Sequence, residues 1–211
     1  MAIIHHTTLK PSKVELLAEW LPTRPWYVGT GTPELTKAGG FRLDDPAGEV
    51  GIEFMVAADG DGVAYLVPLT YRGAPLDGAE DTLIGTMEHG VLGKRWAYDG
   101  THDPVLVAEL LALIEGRAQA QAQSVDNTPD HEIARSCTAT GELRAHGPAA
   151  DDETGTDLTT ADGSVLRLHR RLGGTDLPPS DALGHVSGHW TAADGTPARA
   201  VFVVLRPGSL A

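Results

Sequence analysis

Short runs of alternating hydrophobic and polar residues fill most of the chain, and three pairs of such runs are joined by the same kind of turn. Each turn contains Ala-Asp-Gly, at Ala58–Gly60, Ala161–Gly163 and Ala193–Gly195. Asp-Gly is a hairpin signal because glycine, and less readily aspartate, adopts a positive φ angle. The pattern predicts antiparallel hairpins in both halves of the chain.

Two segments have the spacing of amphipathic helices instead. The first is predicted from Pro11 to Leu21, with proline at an early helical position and Pro22 ending the helix. The second begins after Asp103, whose side chain can cap the free amides of the first turn, and Pro104 suits the next position. Gly116 is predicted to end this helix.

The order of these elements predicts an α+β fold of two antiparallel β-rich lobes with a connecting helix. In the N-terminal lobe, a curved sheet is expected to pack on a helix. We place the N-terminal domain at residues 1–116, a linker at 117–134 and the second lobe at 135–211. The linker assignment rests on a polar Ala-Gln run followed by proline. Residues 146–156 are predicted to form a mobile loop, because they combine glycine, proline and consecutive acidic residues.

Charge and composition exclude several classes of function. Among 211 residues, 29 are acidic and 16 are lysine or arginine, which gives a formal net charge of -13. This balance argues against nonspecific binding to nucleic acid or to an anionic membrane surface. No apolar run approaches the roughly 20 residues that cross a bilayer. A single cysteine, Cys137, and the absence of an export signal lead us to expect a cytoplasmic protein.

The sequence supports no metal site and no catalytic residue. His5 and His6 are neighbours, so in a strand their side chains would point to opposite faces. His185 and His189 lack the further ligands that zinc requires. Cys137 is interpreted as a buried structural thiol.

Other residues that suggest chemistry have simpler explanations. Asp103 follows His102, but helix capping accounts for it. Ser164 fits a turn and lacks the glycine elbow of a serine nucleophile. The segment Gly90–Trp96 lacks the spacing and the hydroxyl of a phosphate-binding loop, so no cofactor is predicted.

Four residues remain as binding candidates, Trp26, Tyr27, Lys94 and Arg95. Pro25 could hold the two aromatic residues at a lobe edge, although we expect at least one of them to lie in the core. The basic pair could receive an anion or a sugar, and an exposed, solvated bend is the simpler alternative. All four candidates depend on exposure, and a buried residue would be withdrawn.

Several phrases in order resemble the N-terminal cap domain of bacterial maltokinases and related actinobacterial sugar kinases. They are Trp20–Tyr27, Tyr65–Arg72, Ile84–Gly85 and Tyr98–Pro104, and the resemblance covers about the first 116 residues. Further on, Ser164–Leu172 is similar to the strand of the intermediate subdomain that carries a nucleotide-contacting lysine in those kinases. This chain has Arg167 in that neighbourhood and no lysine.

The resemblance implies a role near the metabolism of α-glucans such as glycogen, or of trehalose. In those kinases a helical lobe supplies the catalytic Asp, the following Asn and the metal-binding Asp, and we find no counterpart here. We therefore expect a noncatalytic binding or regulatory module. Its expected partner is a sugar kinase, a glucan-metabolism enzyme or a small sugar, and a homodimer is a further candidate. The alternatives are a kinase component completed by a separate catalytic chain and an enzyme of unrecognised type.

Overall fold

A computed structural model describes residues 9–123, 128–173 and 177–208, so His5 and His6 lie outside the described part. Two α-helices are present there, α1 (Lys13–Trp20) and α2 (Pro104–Glu115). The strands are β1 (Leu9–Lys10), β2 (Leu35–Leu43), β3 (Gly51–Asp59), β4 (Ala64–Arg72), β5 (Leu83–His89), β6 (Gly93–Asp99), β7 (Gln121–Ala122), β8 (Ala134–Cys137), β9 (Ala150–Asp151), β10 (Gly155–Thr159), β11 (Val165–His169), β12 (Arg171–Leu172), β13 (Gly184–Thr191) and β14 (Pro197–Arg206). Every pairing among these strands is antiparallel, so the predicted α+β fold dominated by antiparallel sheet is confirmed. No helix in the described ranges has the length and hydrophobicity needed to span a membrane.

All three predicted hairpins are present, as the pairs β3 with β4, β10 with β11, and β13 with β14. In the second and third hairpins the glycine of Ala-Asp-Gly has the positive φ, 85° at Gly163 and 83° at Gly195. In the first hairpin Gly62 has it instead, at 87°, and Gly60 does not. The turn there lies two residues further along the sequence motif, because the Gly62 amide donates to the Asp59 carbonyl at 3.0 Å, as Gly163 does to Thr160 and Gly195 to Ala192 in the other turns. The Asp59 side chain accepts a hydrogen bond from the Asp61 amide at 2.7 Å.

Helix α1 begins two residues later than predicted because Ser12 caps it. The Ser12 hydroxyl accepts from the Glu15 amide at 3.3 Å, and the Glu15 carboxylate accepts from the Ser12 amide at 2.7 Å. This reciprocal pair satisfies two free amides of the first turn, so Pro11 stays outside the helix. Pro22 lies in a short 3-10 turn that follows the helix.

Helix α2 has the predicted ends. The Asp103 carboxylate accepts from the Val105 amide at 3.0 Å, and Pro104 is the first helical residue. Gly116 follows the last turn with φ at 83°, a left-handed conformation that glycine adopts at little cost.

The strands β3 and β4 bury side chains on both faces, and each face packs against a different helix. Residues that pack with α1 on one face are Met55, Ala57, Tyr65, Val67 and Leu69. Residues that pack with α2 on the other face are Ile52, Phe54, Val56, Ala64 and Leu66. This arrangement follows from the period of two in a strand, and it explains why both strands are almost wholly apolar.

The first and last parts of the chain meet in one continuous sheet. Its strand order is β1-β5-β6-β4-β3-β2-β13-β14-β11-β10-β9. At the junction of β2 and β13, Trp190 pairs with Gly39, where an added Cβ would lie 3.0 Å from the Cβ of Trp190. Glycine therefore lets the two strands approach. A second junction is the pairing of β12 with β4.

One hydrophobic cluster includes side chains from both predicted lobes. It contains Phe41 and Phe54 from the first, Leu166 and Phe202 from the second, and the buried face of α2. In the predicted linker, β7 pairs with β2 and Ala120 is buried. The domain boundaries at 116 and 134 stay predictions, and the structure adds that the two parts share a core.

Within 146–156, the segment predicted to be a mobile loop, β9 pairs with β10 and Thr156 is completely buried. Backbone hydrogen bonds from a neighbouring strand thus fix part of a segment whose composition is typical of loops.

Gly40 provides a test of how tightly β2 and β3 are joined. Its φ is 125°, and an added Cβ would lie 2.0 Å from the carbonyl oxygen of Phe54. We expect Gly40→Ala to lower the free energy of unfolding by more than about 2 kcal/mol, from backbone strain and steric conflict. Gly60→Ala is the control, because nothing lies within 4 Å of its Cβ position. Equal effects of both changes in urea unfolding would contradict this account.

Candidate functional site

The four predicted binding residues do not form one site. Trp26 is completely buried, against Trp20 at 5.7 Å and Tyr65 at 6.0 Å between ring centroids. It therefore offers no surface to a ligand and is withdrawn as a binding candidate. Tyr27 is half-buried beside Tyr65, and its hydroxyl donates to the Gly31 carbonyl at 3.1 Å.

Lys94 and Arg95 lie in β6, far from the aromatic pair. Lys94 is exposed, with its ammonium 5.0 Å from the centre of the Trp96 ring, and Arg95 is half-buried. Trp96 pairs with Arg72 at the end of β4, whereas Tyr65 is near the start of that strand. The rise per residue of a strand places these positions roughly 20 Å apart. The basic pair thus remains a surface candidate by itself.

A buried ion pair joins the phrase Tyr98–Pro104 to the second half of the chain. Nη2 of Arg170 donates to both carboxylate oxygens of Asp99, at 2.8 and 2.7 Å, and both side chains are almost fully buried. The same nitrogen donates to the Thr101 hydroxyl at 3.0 Å, and Nε donates to the Thr156 hydroxyl at 2.6 Å. The guanidinium also lies 5.0 Å from the ring centre of Trp26, a cation-π contact.

The Arg170 partnership sets the protonation state of Asp99. Burial by itself would raise the pKa of the Asp99 carboxyl, but the charge and hydrogen bonds of Arg170 outweigh burial and lower that pKa. The charge of His102 and the Thr101 hydroxyl act in the same direction. Asp99 is therefore a carboxylate fixed by its partners and has no role as a proton donor near neutral pH.

Asp103, the second acid of this phrase, is also occupied by structure. Besides capping α2, its carboxylate accepts two hydrogen bonds from Arg72, both at 2.7 Å. Between the two acids, an added Cβ on Gly100 would lie 2.2 Å from Leu106 Cδ1, so glycine is needed for α2 to pack here. The phrase thus fixes the helix and the second half of the chain onto the first sheet.

A third buried acid, Glu53 on β3, was not singled out from the sequence. Its carboxylate accepts from the Tyr71 hydroxyl and from Gln123, both at 2.7 Å, and it forms an ion pair with Lys13 of α1. Burial would raise its pKa, but Lys13, Tyr71 and Lys37 together lower it. The contacts join α1 and the segment after α2 to the sheet, which is a structural role.

A charged cleft of about 320 Å³ opens on the second half of the sheet, over β10, β11 and β14. Its polar lining residues are Asp152, Thr154, Asp157, Arg167, His169 and Arg206. Arg167 pairs across the sheet with Asp157 on β10 and with Val204 on β14, so side chains from three strands face the same space.

Arg167 is held firmly in this cleft. Its Nη2 donates to Asp152 and to the Thr154 hydroxyl, both at 2.6 Å, and its Nη1 donates to Asp157 at 3.1 Å. The hydrogen bond and charge of Arg167 hold the pKa of the Asp152 carboxyl well below its usual range. Asp152 and Asp157 both accept hydrogen bonds from Arg167.

The histidine of the cleft is kept neutral. Burial lowers the pKa of His169, and the positive charges of Arg167 and Arg206 lower it further. Neutral imidazole has one donor and one acceptor nitrogen, which suits it to bind polar ligands. Together these residues can bind a polar molecule by hydrogen bonds.

No group of three or more His, Cys, Asp or Glu side chains that could hold a metal ion occurs in the described ranges. His185 shares a 2.7 Å hydrogen bond with the Ser136 hydroxyl, and His189 lies 3.9 Å from Glu132. Cys137, which we expected to be buried, is half-buried at the end of β8.

Arg170 lies in the segment Ser164–Leu172, but the sequence predicted no role for it. Little in the sequence indicated that Arg170 is buried, because a basic residue beside a strand is usually exposed. Its partner, Asp99, comes from β6, 71 positions away in the chain. The cleft residues Asp157, His169 and Arg206 were missed for the same reason.

We expect Arg170→Met to be strongly destabilising. The change leaves Asp99 buried without its ion partner, a loss of about 3–5 kcal/mol in the free energy of unfolding. Arg171→Met is the matched control, because the half-buried Arg171 side chain forms no hydrogen bond or ion pair among the described residues. Comparable losses for the two variants in chemical denaturation would show that the ion pair has no special weight.

The same ion pair predicts an acid-sensitive stability. Because the folded state lowers the pKa of Asp99, the stabilisation is present above the unfolded value of about 3.9 and is lost as the pH falls through the folded value. The double variant Asp99→Asn with Arg170→Gln should lose less stability than the wild type between about pH 6 and pH 3. Urea titrations across this range measure the slope, and parallel slopes would refute the assignment.

In a comparison with known proteins, residues 20–103 match the family model described as the maltokinase N-terminal cap domain. The match includes the phrases at Trp20–Tyr27 and Tyr65–Arg72, and it ends at Asp103, the cap of α2. No curated protein matches the chain. The resemblance of this chain to the maltokinase N-terminal cap domain is thereby confirmed over residues 20–103.

Proposed function

We propose that this chain is a noncatalytic binding or regulatory module related to the maltokinase N-terminal cap, acting in α-glucan or trehalose metabolism. The match to the maltokinase N-terminal cap domain supports the metabolic part of this proposal. We place the protein in the cytoplasm as part of the same proposal.

The observation that carries the proposal is that both acids of the segment Tyr98–Pro104 are held in ion pairs. Asp99 is tied to Arg170 and Asp103 to Arg72, both through pairs of hydrogen bonds. A general acid or base must exchange a proton near the working pH, and a carboxylate fixed in such a pair is a poor one. These residues therefore support assembly of the chain, with no part in a reaction.

The module would act through its surface, by binding a small sugar or a protein partner such as a sugar kinase or a glucan-metabolism enzyme. Lys94 and Arg95 form one candidate contact, next to a hairpin tip that exposes Val91 and Leu92. Exposed apolar residues rimmed by polar ones are a feature of protein interaction sites. Tyr27 remains a weaker candidate, and a homodimer is a further form of partnership.

A thermal-shift screen of the full chain tests the proposal. We expect maltose, trehalose or a short glucan to raise the melting temperature, and ATP with magnesium to leave it unchanged. A ligand present at a hundred times its Kd stabilises the native state by about 2.7 kcal/mol, which corresponds to a shift of several degrees in a chain of this size.

A phosphorylation assay provides the opposing test. The chain is incubated with ATP, magnesium and maltose, glucose or glucosamine, and a sugar phosphate is sought by mass spectrometry. We expect none. Product formation would contradict a noncatalytic role, and a thermal shift with ATP and magnesium would favour a kinase component completed by another chain.

A further inference from the structure

We propose that the cleft over β10, β11 and β14 binds an uncharged polyhydroxylated ligand, namely a mono- or disaccharide. This inference rests on the proposed function and gives the sugar a site. The four residues singled out from the sequence lie elsewhere in the fold, so the cleft is a different place from the one that the sequence indicated.

The cleft has a rigid base, because Arg167 is only 8% exposed and is bonded on three sides. The loop that holds it is itself ordered by hydrogen bonds. Oδ1 of Asp152 accepts from the amides of Thr154 and Gly155, at 2.8 and 3.0 Å. Binding to a preformed site loses little conformational entropy, which favours weak polar ligands.

Around this base, several polar atoms have unused hydrogen-bonding capacity. The Arg206 guanidinium approaches Asp157 only at 3.7 Å, beyond hydrogen-bond distance, and 42% of its side chain is exposed. His169 forms no hydrogen bond with the described residues. The second carboxylate oxygens of Asp152 and Asp157 accept none from them either. Free donors and free acceptors thus face the same small space.

The charges of the cleft favour neither anions nor cations. The two carboxylates, Asp152 and Asp157, balance the two guanidiniums, Arg167 and Arg206, and His169 is neutral. For either kind of ion, attraction to one pair of charges is offset by repulsion from the other, so the lining gives no net Coulomb attraction. A hydroxyl group is both donor and acceptor, so a ring that carries several hydroxyls matches the mixed lining better than either ion.

The cleft also offers an apolar surface and a limited volume. Val204 lies at the base of the cleft and is almost completely buried, whereas Pro179 forms part of the wall and is exposed. Pro179 can therefore contact the C–H face of a sugar ring. The volume of about 320 Å³ is at the lower end of the range for small-molecule sites, which fits one or two sugar rings and excludes the enclosure of a longer glucan.

The test is a titration of the uniformly ¹⁵N-labelled full chain, followed by NMR. Maltose and trehalose are the probes, with inorganic phosphate as the ionic comparison. We expect a disaccharide to shift amide signals in β10, β11 and β14 in a saturable way, and phosphate to shift none of them. Arg206→Ala should weaken the binding about tenfold, because it removes hydrogen bonds from a charged donor.

Arg144→Ala is the matched control, since Arg144 is also an exposed arginine in an ion pair but does not line the cleft. It should bind the disaccharide as the wild type does. His169→Ala provides a second cleft variant, and the ¹⁵N spectrum of each variant reports whether it is folded.

The outcomes separate this inference from the proposed function. A saturable disaccharide response that maps to other residues, such as those around Lys94, would overturn the cleft and leave the sugar-binding module intact. Binding of phosphate at the cleft, or equal affinity in Arg206→Ala and Arg144→Ala, would also overturn it. The absence of any response to either disaccharide would refute the cleft, and the module would then be tested through protein partners.

Discussion

The buried ion pair between Arg170 and Asp99 is the interaction on which the rest of the structure depends. Asp99 ends β6 of the first sheet portion, and Arg170 follows β11 of the second. Each charge would be expensive to bury alone, and each is stabilised only where the other lies. Each buried charge is therefore neutralised only when the two halves of the chain pack correctly. The ion pair favours this packing in addition to the apolar core that the halves share.

Other features around the pair serve the same junction. The Thr101 hydroxyl donates to Asp99 and accepts from Arg170, so it completes the network. The backbone of Arg170 also takes part, because its carbonyl accepts from the Leu66 amide at 2.9 Å and leads into the pairing of β12 with β4. In this chain the segment Tyr98–Pro104, part of the cap-like region, thus contacts segments that come later in the sequence.

The same stretch of chain connects the junction to the candidate cleft. Arg167 and Arg170 lie three residues apart, and one is at the base of an open cleft while the other is completely buried. Arg170 lies between β11, which lines the cleft, and β12, which pairs with β4.

The sequence by itself determined the local structure, namely three hairpins, the two ends of α2 and the likeness to the cap family. These features depend on residues close together in the chain, such as Asp103, Pro104 and Gly116, and short-range backbone chemistry specifies them. The tertiary structure alone decided that Trp26 is buried, that Arg170 meets Asp99, and that Asp157 and Arg206 share a cleft. Those contacts join residues far apart in the chain, and no local pattern encodes which distant partner neutralises a given charge.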